Sequence, residues 1–279
     1  MNKRFPNFLI VGSPKCGTTT LYNILSDHPE IFLTDPKEPQ FFSKGRYLVD
    51  HDWDWYHGLF KHVTTEKAIG EASVGYTVRY PRFWADPELI YHHLPEAKII
   101  YMVRNPLERI SSHYVNSKII GYPKDMGSFR TAVKNHPMLI DTCRYWSLIS
   151  PYIKLYGKEN VQILFFEDMK TNPDHFFSHV FEFLNVSHHP IKKIEHANPT
   201  PDHEMDRDFT GNIRKWVGFE SVRSKIPEFV KVLGRRLIKH RVVKPKWNKD
   251  LKKFVLEALA EDTKTLLRFC EKPVSYWSF

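Results

Sequence analysis

The stretch Gly12–Thr20, with the sequence GSPKCGTTT, decides the fold class of this chain. It follows the apolar run Asn7–Gly12 and overlaps the segment Thr18–His28, whose apolar residues recur at helical spacing. A glycine-bearing turn between a buried strand and a helix presents backbone N–H groups and the positive end of the helix dipole to an anion. The sequence therefore predicts a phosphate-binding loop in which Lys15 adds a cation and the threonines add hydroxyl donors.

Three further apolar runs predict that strands and helices alternate along the chain. Lys67–Glu71, Lys98–Val103 and Val161–Phe166 are continuous rather than alternating, which is typical of buried parallel strands. Helical patterns lie between them, at Pro106–Lys118 and Arg144–Tyr156. We expect a three-layer α/β fold in which helices flank a central parallel sheet that carries a P-loop-like nucleotide site.

The composition is that of an ordinary globular protein. The chain has 279 residues, 42% of them hydrophobic and 26% charged, which argues against a disordered, collagen-like or disulfide-stapled chain. Cys16, Cys143 and Cys270 lack the paired spacing of a zinc site or a disulfide framework, so a reducing compartment is favoured. Because no apolar run is as long as a membrane span or a signal-peptide core, we expect a cytoplasmic protein without a transmembrane segment. An anchor upstream of this sequence stays an open alternative.

Positive charge is concentrated towards the C-terminus. The chain has 41 Lys and Arg against 32 Asp and Glu, a formal net charge of +9. Residues 213–253 hold 14 basic and 3 acidic side chains, a local balance of +11. This excess fits either attraction of a polyanion or phosphorylated cofactor, or a solvated helical face. We expect one domain over residues 1–279, with a basic, mostly helical C-terminal portion at about residues 205–279.

The loop differs from a Walker A sequence in the place of its lysine. Gly12 and Gly17 have the Walker spacing, but Thr18 follows the second glycine and the lysine lies inside the loop at position 15. Kinases and NTPases need that lysine on the β- and γ-phosphates, so the shift favours a ligand with a shorter 5′ chain. A magnesium-dependent nucleotide kinase or NTPase remains the alternative, since Ile163–Asp168 (ILFFED) has the pattern of a Walker B strand.

Two segments resemble sulfotransferases that use 3′-phosphoadenosine-5′-phosphosulfate (PAPS). Pro14–Leu21 (PKCGTTTL) resembles their 5′-phosphosulfate loop, and His28–Ser43 (HPEIFLTDPKEPQFFS) resembles the downstream segment of their glycan and small-molecule branches. The resemblance implies that Lys15 contacts the 5′-phosphosulfate and stabilises the charge that develops on the leaving phosphate. It also implies cofactor contacts from the rest of the loop, namely Cys16, Gly17, Thr18, Thr19 and Thr20.

A second signature follows the third predicted strand. Arg104 stands at the carboxyl end of that strand, where ligands of open α/β sheets bind. Ser112 follows eight residues later, with Pro106 in between, and this spacing resembles the family's 3′-phosphate signature. A guanidinium fork and a hydroxyl suit a terminal phosphate. Basic residues of a nucleotide-covering loop are expected at Arg214 and Lys215.

The candidate general base lies at the end of the second predicted strand. Ile69–Tyr76 (IGEASVGY) resembles the family stretch in which a glutamate takes the proton from the acceptor hydroxyl, which implies that Glu71 is catalytic. A strand-end ion pair with a nearby Lys or Arg is the alternative interpretation. Lys37 and Tyr76 are expected to bind the substrate. In the cytosolic small-molecule branch a histidine is the base, and the competitors here are His28, His57, His92, His93 and His113.

The resemblance implies that the chain moves a sulfuryl group from PAPS to a hydroxyl or amine and leaves adenosine-3′,5′-bisphosphate. The acceptor class stays open between a glycan, a lipid and a small molecule. No metal is expected, because protein cations perform the neutralisation that Mg²⁺ performs in kinases. A nucleic-acid binder that uses the basic segment is a further alternative; since it leaves the two phosphate motifs unexplained, we expect no nucleic-acid partner.

Overall fold

A parallel sheet of five strands forms the centre of the molecule. The computed structural model describes residues 5–45, 51–80, 83–121, 123, 126–191, 203–204, 241–242 and 244–277. The strands of the central sheet are β1 Phe8–Gly12, β2 Ile31–Leu33, β4 Ala68–Ala72, β7 Lys98–Val103 and β8 Val161–Phe165. They lie in the order β2-β4-β1-β7-β8, and each neighbouring pair is parallel. Short antiparallel strands form two smaller sheets: β3 Ser43–Gly45, β6 Phe83–Ala85 and β5 Arg79–Tyr80 in one, β9 His203–Glu204 and β10 Arg241–Val242 in the other.

Helices flank the central sheet. In chain order they are α1 Thr18–Ser26, α2 Trp53–Gly58, α3 Pro87–His93, α4 Pro106–Ile120, α5 Phe129–Asn135, α6 Met138–Asp141, α7 Tyr145–Tyr156, α8 Phe166–Thr171, α9 Pro173–Phe183 and α10 Lys249–Phe269. Two 3₁₀ turns lie at Val74–Thr77 and Lys158–Asn160. Among the residues described, no helix combines the length and the apolar composition that a membrane span requires.

The three-layer α/β architecture expected from the sequence is confirmed. Strand β2 was missed, because three residues are too few to stand out as an apolar run. The first, second and fourth expected strands differ from the observed ones by one residue at one or both ends, and the chain after β8 turns directly into α8.

Strand order places the expected nucleotide site between β1 and β7. The chain leaves β1 towards β2 on one side of the sheet, whereas it leaves β7 towards β8 on the other side. Adjacent parallel strands with connections that diverge in this way form a topological switch point, where open α/β sheets bind ligands. The loop after β1 carries Lys15 and the residue after β7 is Arg104, so the fold brings both predicted phosphate motifs to this point.

The C-terminal helix is tied to the core of the sheet domain. The Asp262 carboxylate of α10 accepts hydrogen bonds from the backbone N–H groups of Trp146 and Ser147, at 3.0 and 2.9 Å, and so caps the start of α7. Arg144 donates to the carbonyl oxygen of Ala258 at 3.0 Å. The ring of Trp277 is buried and donates to Glu167 at 3.1 Å. The chain after residue 248 is therefore packed as part of the same core.

Candidate active site

The loop between β1 and α1 has the backbone geometry of an anion cradle. Lys15 and Gly17 both have left-handed backbone conformations, with φ of 68° and 91°. Gly17 is the N-cap of α1 and offers no side chain to cap it, while the first turn of a helix has N–H groups without intrahelical partners. A Cβ at Gly17 would lie 2.6 Å from the Phe166 ring, so the position excludes larger residues. These N–H groups are suited to an anion.

Two arginines bind consecutive carbonyl oxygens of this loop. Arg109 Nε donates to the Pro14 oxygen at 3.1 Å, and Arg104 Nη1 donates to the Lys15 oxygen at 3.4 Å. The guanidinium groups thereby hold the loop carbonyls and add two positive charges next to the loop amides. Arg109, which the sequence analysis did not single out, is 0% exposed. Arg109 lies on α4, five residues after Arg104 in the chain, and nothing in the sequence around it indicates that its side chain is buried.

The Lys15 ammonium lies inside this cationic environment. Lys15 Nζ donates to Asn116 Oδ1 of α4 at 3.1 Å. Burial lowers the pKa of Lys15, and the charges of Arg109 and Arg104 lower it further. The negative charge of Glu38 acts in the opposite direction on the same pKa, which means that Glu38 lies within electrostatic range of Lys15. A poorly solvated ammonium within electrostatic range of two arginines is well suited to an anionic ligand.

The remaining loop residues divide between the core and the site. The Cys16 thiol is buried against the Tyr145 hydroxyl at 3.6 Å, and its amide N–H donates to Ser13 at 3.2 Å. Burial raises the pKa of the Cys16 thiol to about 12. Both the thiol and the amide N–H of Cys16 therefore have partners within the protein, and its contact with the cofactor stays a prediction. Thr18 and Thr20 are buried, while Thr19 is half-buried, all in the first turn of α1.

Arg104 follows β7 directly and Ser112 lies on α4, the positions in the fold that the sequence predicts for them. The Arg104 guanidinium lies 4.7 Å from the centre of the Phe166 ring and 3.4 Å from the Glu108 carboxylate. Glu108 also pairs with Lys244 at 2.8 Å. Ser112 is buried on α4. The other two expected nucleotide contacts, Arg214 and Lys215, lie outside the described residues.

Glu71, the expected general base of the crevice, is enclosed by hydroxyl donors in the structure. Its side chain is 0% exposed, and its carboxylate accepts three hydroxyl hydrogen bonds: from Tyr56 at 2.8 Å, Ser73 at 2.7 Å and Tyr76 at 2.8 Å. Burial raises the pKa of Glu71. Tyr76 is likewise enclosed and is directed to Glu71, so neither side chain is open to an acceptor in this conformation.

The hydrogen bonds of Glu71 hold another loop in place. The Ser73 hydroxyl, which donates to Glu71, accepts from the backbone N–H of Gln40 at 3.0 Å. The Tyr76 hydroxyl accepts from the N–H of Phe42 at 3.3 Å. Glu71 therefore braces the segment that follows β2 from inside the protein, through two hydroxyl groups.

The braced segment carries a carboxylate that the sequence analysis did not select. Glu38 has a left-handed backbone, with φ of 63°, and its side chain is 34% exposed. Its two oxygens accept from Lys37 Nζ at 2.8 Å and from Gln40 Nε2 at 2.9 Å. Lys37, an expected substrate contact, is thus paired with Glu38 near the site. The signal in the sequence is the Lys-Glu pair between Pro36 and Pro39, directly after a short apolar run.

The acidic pair after β8 has structural partners. Glu167 accepts from the backbone N–H of Asn105 at 2.9 Å and from the Trp277 indole, while Asp168 pairs with Lys272 at 2.8 Å. These bonds occupy the carboxylates that a Walker B strand would direct to magnesium. Within the part of the chain that the structure describes, no group of three His, Cys, Asp or Glu side chains is arranged to hold a metal ion.

Comparison with known proteins agrees with this geometry. A sequence model of the sulfotransferase domain family matches residues 5–200, more than half of the chain. Carbohydrate sulfotransferase 15 of Mus musculus is 27% identical, over 69% of this chain and 45% of that protein. Heparan sulfate glucosamine 3-O-sulfotransferase 6 of Mus musculus is 33% identical, over 56% of this chain and 42% of that protein. The chain thus spans less than half the length of these two curated relatives.

The fold has a close counterpart among solved structures. The crystal structure of a sulfotransferase from Alicyclobacillus acidocaldarius superposes with a TM-score of 0.67, at 24% identity, over 99% of this chain and 100% of the other. That similarity shows the fold, and the family match covers β1 to α9 with both phosphate motifs. The chain belongs to the sulfotransferase domain family.

Proposed function

We propose that this chain transfers a sulfuryl group from PAPS to a hydroxyl group. Two predicted anion sites meet at the switch point between β1 and β7, and the hydrogen bond from Arg104 to the Lys15 carbonyl oxygen joins them. This observation carries the proposal. PAPS has an anionic group at each of two ribose positions. The 5′-phosphosulfate matches the amides at Gly17–Thr20 together with Lys15, and the 3′-phosphate matches Arg104 with Ser112.

In the transfer step, the acceptor oxygen forms a bond to sulfur while the bond from sulfur to the bridging oxygen of PAPS breaks. The acceptor proton goes to a carboxylate, and the bridging oxygen leaves with the 5′-phosphate of adenosine-3′,5′-bisphosphate. Lys15 stabilises the negative charge that grows on that oxygen, and the loop amides contribute to the same stabilisation.

We assign the proton-accepting role to Glu38 rather than to Glu71. Glu38 is partly exposed, lies near Lys15 and sits on a loop at the edge of the site, whereas Glu71 is enclosed by three hydroxyl donors. A general base has to come within hydrogen-bond distance of the proton that it removes. Glu71 then acts as a positioning residue, because Ser73 and Tyr76 connect it to the backbone of the Glu38 loop.

A sugar hydroxyl is the acceptor that we propose. The two relatives above are, by name, sulfotransferases of carbohydrate and of heparan sulfate glucosamine. A chain with a formal charge of +9 also suits a negatively charged glycan. Transfer of labelled sulfate from PAPS to a panel of glycans, alcoholic lipids and phenols tests this choice, and exclusive labelling of a lipid or phenol would contradict it.

We further propose that the protein works in a reducing compartment such as the cytoplasm. Its three cysteines are free thiols, Cys16 and Cys143 are buried, and Cys270 is half-buried. Localisation of the tagged full-length protein by fluorescence microscopy checks this proposal, and a signal confined to a secretory compartment would contradict it.

Calorimetric titration with adenosine-3′,5′-bisphosphate, with AMP and with ATP plus Mg²⁺ tests the donor. We expect binding of the bisphosphate to be tighter than that of AMP, and this preference to disappear in Arg104→Ala. Tighter binding of ATP with magnesium, without any effect of a 3′-phosphate, would overturn the proposal in favour of an NTPase or kinase.

A further inference from the structure

Next to the catalytic loop, α4 carries a histidine that the transfer step described above does not use. Arg109 Nη2 donates to His113 Nδ1 at 2.8 Å. The same guanidinium group donates to the carbonyl oxygens of Pro14 and Leu139, at 3.1 and 3.0 Å, so its orientation is fixed from three sides. The imidazole is therefore held by a cation that is itself part of the loop scaffold.

The contact with Arg109 determines where the imidazole proton is. An arginine has only donors, so Nδ1 must be the acceptor and a neutral ring carries its proton on Nε2. His113 is half-buried, and within the described residues its Nε2 has no protein partner. The ring thus presents one N–H donor for which the described residues supply no acceptor.

The position of His113 on α4 brings its ring within electrostatic range of the Lys15 ammonium, whose charge lowers the pKa of His113. Asn116, which binds the Lys15 ammonium at 3.1 Å, is three residues further along the same helix. Residues three apart are neighbours on one helix face, at about 5–6 Å between Cβ atoms. His113 and the Lys15 ammonium therefore lie close together, His113 on α4 and Lys15 on the loop.

We propose that His113 is a further residue of the transfer site, whose Nε2–H donates a hydrogen bond to an oxygen of the sulfuryl group, and that Arg109 positions it. This inference rests on the proposed function. The step keeps the balance given above: His113 neither gains nor loses a proton, and it stabilises charge on the sulfuryl oxygens while the bond to the bridging oxygen breaks.

The charges around the ring favour a neutral donor over a base. Burial lowers the pKa of His113 well below its usual range, and the positive charges of Arg109 and Lys15 lower it further. The ring stays neutral at physiological pH. Because Arg109 occupies Nδ1 and a proton occupies Nε2, His113 has no lone pair available for the acceptor proton.

Two substitutions separate the two ring nitrogens. In His113→Asn, the amide oxygen can still accept from Arg109, but the donor at the Nε2 position is lost. In His113→Gln, the amide nitrogen restores a donor near that position, but the acceptor for Arg109 is displaced. PAPS and adenosine-3′,5′-bisphosphate are titrated calorimetrically into both variants and the wild type, since only PAPS carries the sulfuryl group.

We expect His113→Asn to bind PAPS about threefold to tenfold more weakly, the effect of one lost hydrogen bond, while its affinity for the bisphosphate stays within about twofold. His113→Gln should retain most of the PAPS affinity. Equal PAPS binding by His113→Asn and wild type, or an equal loss for both nucleotides, would overturn the inference. If the wild type binds neither nucleotide, the proposed function itself fails.

A measurement on the wild type covers the case in which the variants do not fold. With ¹⁵N-labelled histidine, the His113 resonances should show the Nε2–H tautomer, and the Nε2 signal should shift on addition of PAPS but not on addition of the bisphosphate. A protonated ring, an Nδ1–H tautomer or identical responses to both nucleotides would contradict the role.

Discussion

Arg104 donates to the carbonyl oxygen of Lys15 across 89 residues of chain. The bond joins the residue predicted for the 3′-phosphate directly to the loop predicted for the 5′-phosphosulfate. The residues expected at the two ends of the nucleotide are therefore joined by one hydrogen bond.

Arg104→Lys should reduce the preference for a 3′-phosphate although the positive charge stays. A lysine is a point charge without the planar fork that binds a phosphate through two parallel hydrogen bonds. We expect the ratio of affinities for adenosine-3′,5′-bisphosphate and AMP to fall about tenfold, a loss of ~1.4 kcal/mol. Arg144→Lys is the matched control, since Arg144 also donates to a carbonyl oxygen but lies at the α7–α10 contact. An unchanged ratio in Arg104→Lys would remove Arg104 from the phosphate site.

Glu38→Gln should abolish most sulfuryl transfer and leave nucleotide binding intact. Loss of a general base costs about 10²–10⁴-fold in rate. The assay is labelled sulfate transfer alongside calorimetry with adenosine-3′,5′-bisphosphate. Glu71→Gln is the informative comparison, because a positioning residue changes the rate less than the base does. If Glu71→Gln loses more activity than Glu38→Gln while still folded, the two roles are reversed.

The stability of the fold should depend on pH through Glu71. Burial raises the pKa of Glu71 above 4.5, so the folded state favours its protonated form. The resulting stabilisation is complete below pH 4.5 and is lost as the pH rises through the raised, folded-state pKa. Wild type should therefore gain stability relative to Glu71→Gln in urea unfolding as the pH falls through the folded-state pKa towards 4.5. A constant difference between the two proteins would show that Glu71 has the same pKa in both states.

Gly17→Ala should weaken both the fold and nucleotide binding. Alanine at a φ of 91° is strained by about 1–2 kcal/mol, and its Cβ would meet the Phe166 ring at 2.6 Å. Gly58→Ala is the control, because Gly58 ends α2 with open space around it and should tolerate or favour alanine. Thermal unfolding of the two variants, with and without adenosine-3′,5′-bisphosphate, compares them. Equal unfolding temperatures of the two variants, both with and without the bisphosphate, would mean that the loop does not depend on Gly17.

Transfer should decline at alkaline pH because Lys15 loses its proton. Burial and two arginines lower the pKa of Lys15, so the cation is lost at a lower pH than for an exposed lysine. Asn116→Asp places a carboxylate at the Lys15 ammonium and should raise that pKa, which shifts the alkaline limb of the rate profile to higher pH. Asn160→Asp, far from the loop, should leave the limb in place. If the alkaline limb does not move in Asn116→Asp, a group other than Lys15 is responsible for that limb.

The backbone of the site follows from the sequence more directly than its acid–base chemistry does. Strand, small-residue turn and helix are local features, so the loop around Lys15 and Gly17 could be predicted, as could the position of Arg104 after the next central strand. Whether Glu71 faces the crevice or the interior depends on Tyr56 of α2, which is 15 residues away and becomes its partner only in the folded chain.

Glu38 and Arg109 are residues of the site that the sequence alone did not indicate, for the same reason. Glu38 has a left-handed backbone in a loop without periodicity, and Arg109 looks like a surface residue of an amphipathic helix. Its burial becomes understandable only when carbonyl oxygens from the loop and from α6 surround the guanidinium group. Long-range contacts of this kind leave no pattern in a single sequence.

The cap that Asp262 of α10 places on α7 ties the C-terminal helix to the part of the chain that the family match covers. The family match ends at residue 200, yet a fragment that stops there would expose the N-terminus of α7 and the buried surface under Trp277. It would also leave the Glu167 carboxylate, which holds the Asn105 amide beside Arg104, without its indole partner. Expression boundaries drawn from the family match alone should therefore give an aggregation-prone product, whereas boundaries that retain the last helix and Trp277 should give a folded one.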